Sequence, residues 1–164
     1  MRYTELRDKH QQEFNRFPLG FAFSKEQFNE MMGKWGLDPV NDLDKIARIS
    51  DCCGGFIRKK DISAYNALVQ RLDKEMKTAM ENDDFFMEAA EYELANHEFV
   101  YNHYQGHYDT LTALGFKLKK PDNPEDRHNE DYFNDPANFI ITEHQLALYY
   151  RALQNYIRSL PEDY

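Results

Sequence analysis

Three polar side chains stand where a helix would turn an apolar face: Glu93, Asn96 and His97. Glu93 and His97 are four residues apart, so on a helix they touch across one turn. A carboxylate taken out of water must be paired or hydrogen-bonded, or it keeps its proton. A protonated imidazole one turn away supplies that charge. Two more histidines follow, His103 and His107, at a His-x3-His spacing. Glu93, His97, His103 and His107 form a carboxylate–imidazole set of the kind that zinc and iron accept. Such a site would activate water for hydrolysis. A divalent transition metal is therefore the only cofactor that these residues suggest. The plainer expectation is a satisfied polar network in the core. No His-Glu-x-x-His motif is present, because position 101 is Tyr101, and Gly106 separates His103 from His107.

Other chemistry is weaker. Cys52 and Cys53 are the only cysteines. Neighbouring cysteines rarely bridge, so they are read as turn residues of a reduced protein. Gly54, Gly55, Arg58, Lys59 and Lys60 make a glycine-plus-basic run that would suit an anion at a helix start, or simply be surface lysines beside a hairpin. Neither a P-loop nor a Gly-x-Ser-x-Gly elbow occurs.

The elements that must position these groups follow from periodicity. A first helix is expected from about Glu5 to Arg16 with Thr4 as cap, its apolar stripe interrupted by His10. Phe17 to Phe23 reads as a buried connection or short strand. Ser24 with Gln27 opens a second helix that ends near Gly33 to Gly36. "KIARIS" and "GFIRK" form a hairpin about the Cys-Cys-Gly-Gly turn. Asp61 is expected to cap a third helix, whose Ile62, Tyr65, Val69, Leu72, Met76 and Ala79 recur at helical steps. The fourth helix, from about Phe85 to Tyr104, carries the polar trio inward and Glu88, Glu91, Ala95, Glu98 and Asn102 outward. A short helix from about Tyr108 stops at Gly115, and a polar, proline-containing surface loop covers 117–138. Thr142 with Gln145 opens a last helix that ends at Pro161. The expected architecture is mainly α (α+β): one domain over 1–164, a bundle of five to six helices with one small β-hairpin.

Charge separates along the chain. Residues 1–60 hold 11 Lys/Arg and 9 Asp/Glu, and residues 61–164 hold 9 and 20. Between Thr78 and Phe116 there is no Lys or Arg but eight carboxylates. That field repels nucleic acid and attracts cations or basic protein surfaces; it also aids solubility. Asp83, Asp84, Glu88, Glu91 and Glu98, interleaved with Tyr101 and Tyr104, form the expected partner-binding set, tyrosine being favoured at interfaces. No run of apolar residues reaches membrane-spanning length, and the N-terminus lacks an apolar signal core. A cytoplasmic location without membrane or direct nucleic-acid binding is expected.

Three motifs carry a resemblance: "FAFSKEQF" (Phe21 to Phe28), "GGFIRKKD" (Gly54 to Asp61) and "YELANHEF" (Tyr92 to Phe99). In this order they resemble a family of unknown function made of small bacteriophage and bacterial mobile-element proteins. The likeness runs from the N-terminus to about "TLTALGF" (Thr110 to Phe116). It implies an accessory protein of the bacterial cytoplasm and brings no activity with it. Three functions stay open: an acidic, non-enzymatic binder of a basic host or phage protein; a metal-dependent, hydrolase-like enzyme; and an assembly protein that associates through its last helix.

Overall fold

The computed structural model describes residues 1–50, 54–102 and 105–161. The Cys52-Cys53 turn, His103 and Tyr104 lie outside the described residues. The fold is mainly helical, with seven α-helices and a three-stranded antiparallel sheet among the described residues. It divides into two compact units, Arg7–Met76 and the pair of segments Met1–Leu6 and Lys77–Tyr164.

The unit Arg7–Met76 is built on a small sheet. Strands β1 (Gly20–Phe21), β2 (Ile46–Ser50) and β3 (Gly55–Arg58) lie in the order β1-β3-β2. Ile46 pairs with Arg58 and Arg48 with Phe56, and a bulge follows Arg48. The expected hairpin therefore gains a third strand from the segment around Gly20. Two strands alone are marginal in water, so the sheet needs a helix against it. Helix α2 (Lys25–Lys34) supplies Met31 and Met32, which bury with Ile46 and Phe56, and Phe28, Trp35 and Leu37 flank them. Gly20 is required by this packing: a Cβ there would lie 2.7 Å from Trp35 Cη2. Ser24 caps α2 as expected, its Oγ accepting from the Gln27 amide at 3.2 Å.

Helix α1 (Tyr3–Arg16) starts earlier than its sequence suggested. Thr4 lies inside the helix and does not cap it; the Arg2 amide instead donates to Glu5 Oε2 at 2.9 Å. His10, which interrupts the apolar stripe, faces Glu75 of α3 (Ile62–Ala79) at 3.1 Å. Lys9 and Arg71 also reach Glu75, at 2.9 and 2.6 Å, and hold its carboxyl down to about 2. Asp61 does not cap α3 by its side chain: it sits in a 3-10 turn, Lys59–Asp61, and accepts from Arg58 Nε at 2.5 Å. The apolar stripe of α3 is real but shallow. Tyr65 packs edge-on to Phe14 and Phe17, while Val69 remains exposed.

The second unit is helical. Helix α4 (Asp83–Asn96) packs chiefly on α7 (Glu143–Ser159), with α5 (Gly106–Ala113) and the single turn α6 (Glu130–Phe133) beside them. Phe86, Ala89, Ala90, Leu94, Leu111, Phe139, Tyr149 and Ala152 are fully buried at its centre. Thr142 closes a full capping box with Gln145 at the start of α7. The 117–138 segment is more ordered than a plain loop. Its base is closed by a bridge between Leu118 and Phe139. Asn123, Asn129 and Asp135 each cap a short turn within it.

The fourth helix is shorter than expected. It ends at Asn96, not near Tyr104. Glu98 takes a left-handed conformation with φ of 49°. The Glu98 amide donates to Ala95 O and the Phe99 amide to Leu94 O, both at 3.1 Å. That is a Schellman ending, in which the backbone turns back on the last carbonyls. The outward placement of Glu98 and Asn102 on this helix is thereby withdrawn. Asn102 instead donates to Asp109 of α5 at 2.8 Å.

Candidate functional site

Glu93 lies on the inner face of α4, one turn before the helix ends, and is 3% exposed. Neighbours on α4 fix its direction: Ala89, Ala90 and Leu94 are all fully buried around it. Among the described residues, its carboxylate meets Tyr3, Asn96 and His97. The Tyr3 hydroxyl donates to Oε1 at 2.5 Å, Asn96 Nδ2 donates to Oε2 at 3.0 Å, and His97 Nε2 lies 3.5 Å from Oε2. Both oxygens of the buried acid are thus engaged, as burial requires. The Tyr3 ring stands edge-on to Phe85 and Tyr92, so the hydroxyl is held in place by packing. The three polar groups meet, and Tyr3, 90 residues away in the chain, joins them. The expected inward placement, however, holds for Glu93 alone: Asn96 is exposed, and His97, which caps the end of the helix, is only half-buried.

His107 is drawn elsewhere. It stands in the first turn of α5, with its amide donating to Asn134 Oδ1 at 2.8 Å. Its ring packs edge-on to Phe99 at 4.8 Å, and Nδ1 shares a 2.7 Å hydrogen bond with the Tyr149 hydroxyl. Desolvation lowers the His107 pKa and raises that of Tyr149, so both are neutral near pH 7. Thr110, fully buried beside them, donates its hydroxyl to Gly106 O at 2.7 Å. Sequence reasoning missed Tyr149 and Thr110 as polar partners, since each reads as part of an apolar helix stripe. Among the described residues, no three His, Cys, Asp or Glu side chains stand together as a metal-ligand group.

Apart from Glu93, the acidic residues of α4 occupy its first turn and its outer side. Asp83 and Asp84 sit at the helix N-terminus, where the helix dipole favours them. Three of the acids have intramolecular partners: Asp83 with His144 Nε2 at 2.8 Å, Glu88 with Arg2 at 3.1 Å, and Glu91 with the Asn155 amide at 2.8 Å. Asp84 and Glu98 are exposed, and Tyr101 is 63% exposed. The unit that carries them holds 8 Lys/Arg against 18 Asp/Glu, a net of −10, whereas Arg7–Met76 holds 12 against 11, a net of +1. No helix among the described residues is long and apolar enough to cross a membrane.

Against known proteins, a family model described as "Family of unknown function (DUF7659)" matches residues 2–130, from the start of α1 to the first residue of α6. No curated protein and no solved structure matches the chain.

Proposed function

The chain belongs to this family of unknown function, and from that premise we propose that it is a non-enzymatic, acidic binding protein that docks on a basic host or phage protein. The observation that carries the reading is the concentration of charge: a net of −10 in the unit Met1–Leu6 with Lys77–Tyr164, and no Lys or Arg from Thr78 to Phe116. A surface of that kind steers and holds positively charged partners, including proteins whose basic face otherwise meets nucleic acid. The resemblance of the three motifs to phage and mobile-element proteins supports, within this proposal, a setting in the bacterial cytoplasm. The buried acid at Glu93 supports a structural role for the polar trio, because Tyr3, Asn96 and His97 already engage its oxygens.

The test is affinity capture from bacterial lysate at low and high salt, with an Asp84→Lys/Glu98→Lys variant beside the native chain. One partner held at low salt, released at high salt and lost by the variant is the expected result. Capture that ignores both salt and charge reversal would sink the proposal. A self-association reading draws on Tyr150 and Ile157, which α7 leaves 40% and 50% exposed. Light scattering separates it: a mass that stays monomeric with concentration removes it.

A further inference from the structure

The basic end of the glycine-plus-basic run before α3 lines a pocket. Arg58, Lys59 and Lys60 stand there together with Lys45, Trp35 and Leu37, around a volume of about 310 Å³. All six belong to the unit Arg7–Met76. The volume is at the small end of the range for small-molecule sites. Its chemistry is split. Trp35 and Leu37 are half-buried and give an apolar wall, and four cations stand around it.

Two of these cations are already neutralised. Arg58 pairs with Asp61 at 2.5 Å while lying over the Trp35 ring, 5.8 Å from its centroid. Lys45 pairs with Asp42 at 2.7 Å. Lys59 and Lys60 have no ion-pair partner among the described residues, and both are exposed. They stand on the turn that opens the 18-residue α3, whose positive end adds to their field. The pocket therefore carries a net of about two positive charges beside an indole face. An anion alone would leave the apolar wall unused, and an apolar ring alone would leave the two lysines unused.

We propose that this pocket binds a small phosphate ester with a flat aromatic body, of the mononucleotide class, its ring against Trp35 and its phosphate between Lys59 and Lys60. Stacking on an indole is tolerant of ring identity, so the site selects the class more strongly than the base. This is independent of the acidic surface: it uses the other unit and the opposite charge.

Trp35 is the only tryptophan in the chain, so its fluorescence reads the pocket directly. The full chain is titrated with AMP, with adenosine, and with inorganic phosphate, each to about 1 mM, the affinity scale of a weak small-molecule site. Saturable quenching by AMP is expected, with adenosine and phosphate each weaker by roughly tenfold, the separation that one well-placed group provides. A Lys59→Glu/Lys60→Glu variant should lose the AMP response while keeping its circular dichroism and melting temperature. No saturable change with AMP overturns the proposal, as does an equal response to phosphate alone, an unchanged response in the folded variant, or binding confined to a single-stranded oligonucleotide.

Discussion

Tyr3 donates to a carboxylate oxygen only 2.5 Å away, and both side chains are out of water. A hydrogen bond to a charged acceptor contributes about 1.5–3 kcal/mol, and a buried polar group left without its partner costs about 1–3 kcal/mol. Tyr3→Phe should therefore lower unfolding free energy by roughly 1.5–3 kcal/mol, and Glu93→Ala by at least as much, since it also strips Asn96 and His97 of their acceptor. Because the two residues share one contact, the double variant should cost less than the sum of the singles. Urea unfolding of all three proteins checks this; costs below about 0.5 kcal/mol would deny the trio its structural role. His107 gives a pH signature. Its pKa is lowered in the folded state by desolvation, so as pH falls below 6.5 the unfolded chain takes up a proton before the native one does. Stability should fall through that window and level off once the folded histidine is also protonated. His107→Gln should flatten that part of a melting-temperature profile, whatever it does to absolute stability. At residue scale the legible part was local. Glu93 and His97 meet across one helical turn, which spacing reveals. Tyr3 and Tyr149 meet their partners across 90 and 42 residues, and no periodicity encodes such a meeting.

Helix boundaries were legible where a residue of the right type marks them. Thr4 and Asp61 do not cap α1 and α3, whereas α2 and α7 start after Ser24 and Thr142, and α5 and α7 stop just before Gly115 and Pro161. A start is marked by a side chain that satisfies free amides, so Ser24 and Thr142 announced α2 and α7. Thr142→Ala should cost α7 about 1 kcal/mol, read as a shift in the urea midpoint with unchanged slope. An end is marked by a residue that accepts positive φ, usually glycine. In α4 that place is taken by Glu98, so the chain carried no visible stop and the expected helix ran on toward Gly106. Glu98→Gly should relieve the left-handed strain at this single position and raise stability by about 0.5–1 kcal/mol. It also removes an exposed carboxylate, so Glu98→Gln serves as the control: only the glycine variant should stabilise, if backbone conformation is the cause. The shallow burial of α3 is the converse lesson. Its apolar spacing was clear, but spacing gives the direction of a face and not the depth to which neighbours cover it, and Val69 stays 40% exposed.

Charge distribution sets the largest-scale behaviour. Composition made the imbalance visible, but not the division of residues between the units. The first six residues join the acidic segment after Lys77, and Arg2 there meets Glu88. Two electrostatic effects then oppose each other under added salt. In Arg7–Met76, Glu75 gathers Lys9 and Arg71 in exposed pairs that salt weakens. Pairs of that kind contribute between nothing and about 1 kcal/mol each, and often nothing measurable. In the other unit a net of −10 repels itself over distances comparable to the Debye length, which shrinks to about 10 Å at 0.1 M salt. Screening removes a repulsion that acts among many charges, while it removes attraction from only a few pairs. Melting temperature should therefore rise as sodium chloride increases from about 20 to about 300 mM, a range that crosses that screening length. A lysine-rich peptide should reproduce the rise at low salt, because a ligand that prefers the folded acidic surface stabilises it by mass action. The same peptide should lose its effect at high salt. A melting temperature that falls with salt would mean that the exposed pairs outweigh the repulsion, and the acidic unit would then lack the unbalanced field that a basic partner needs.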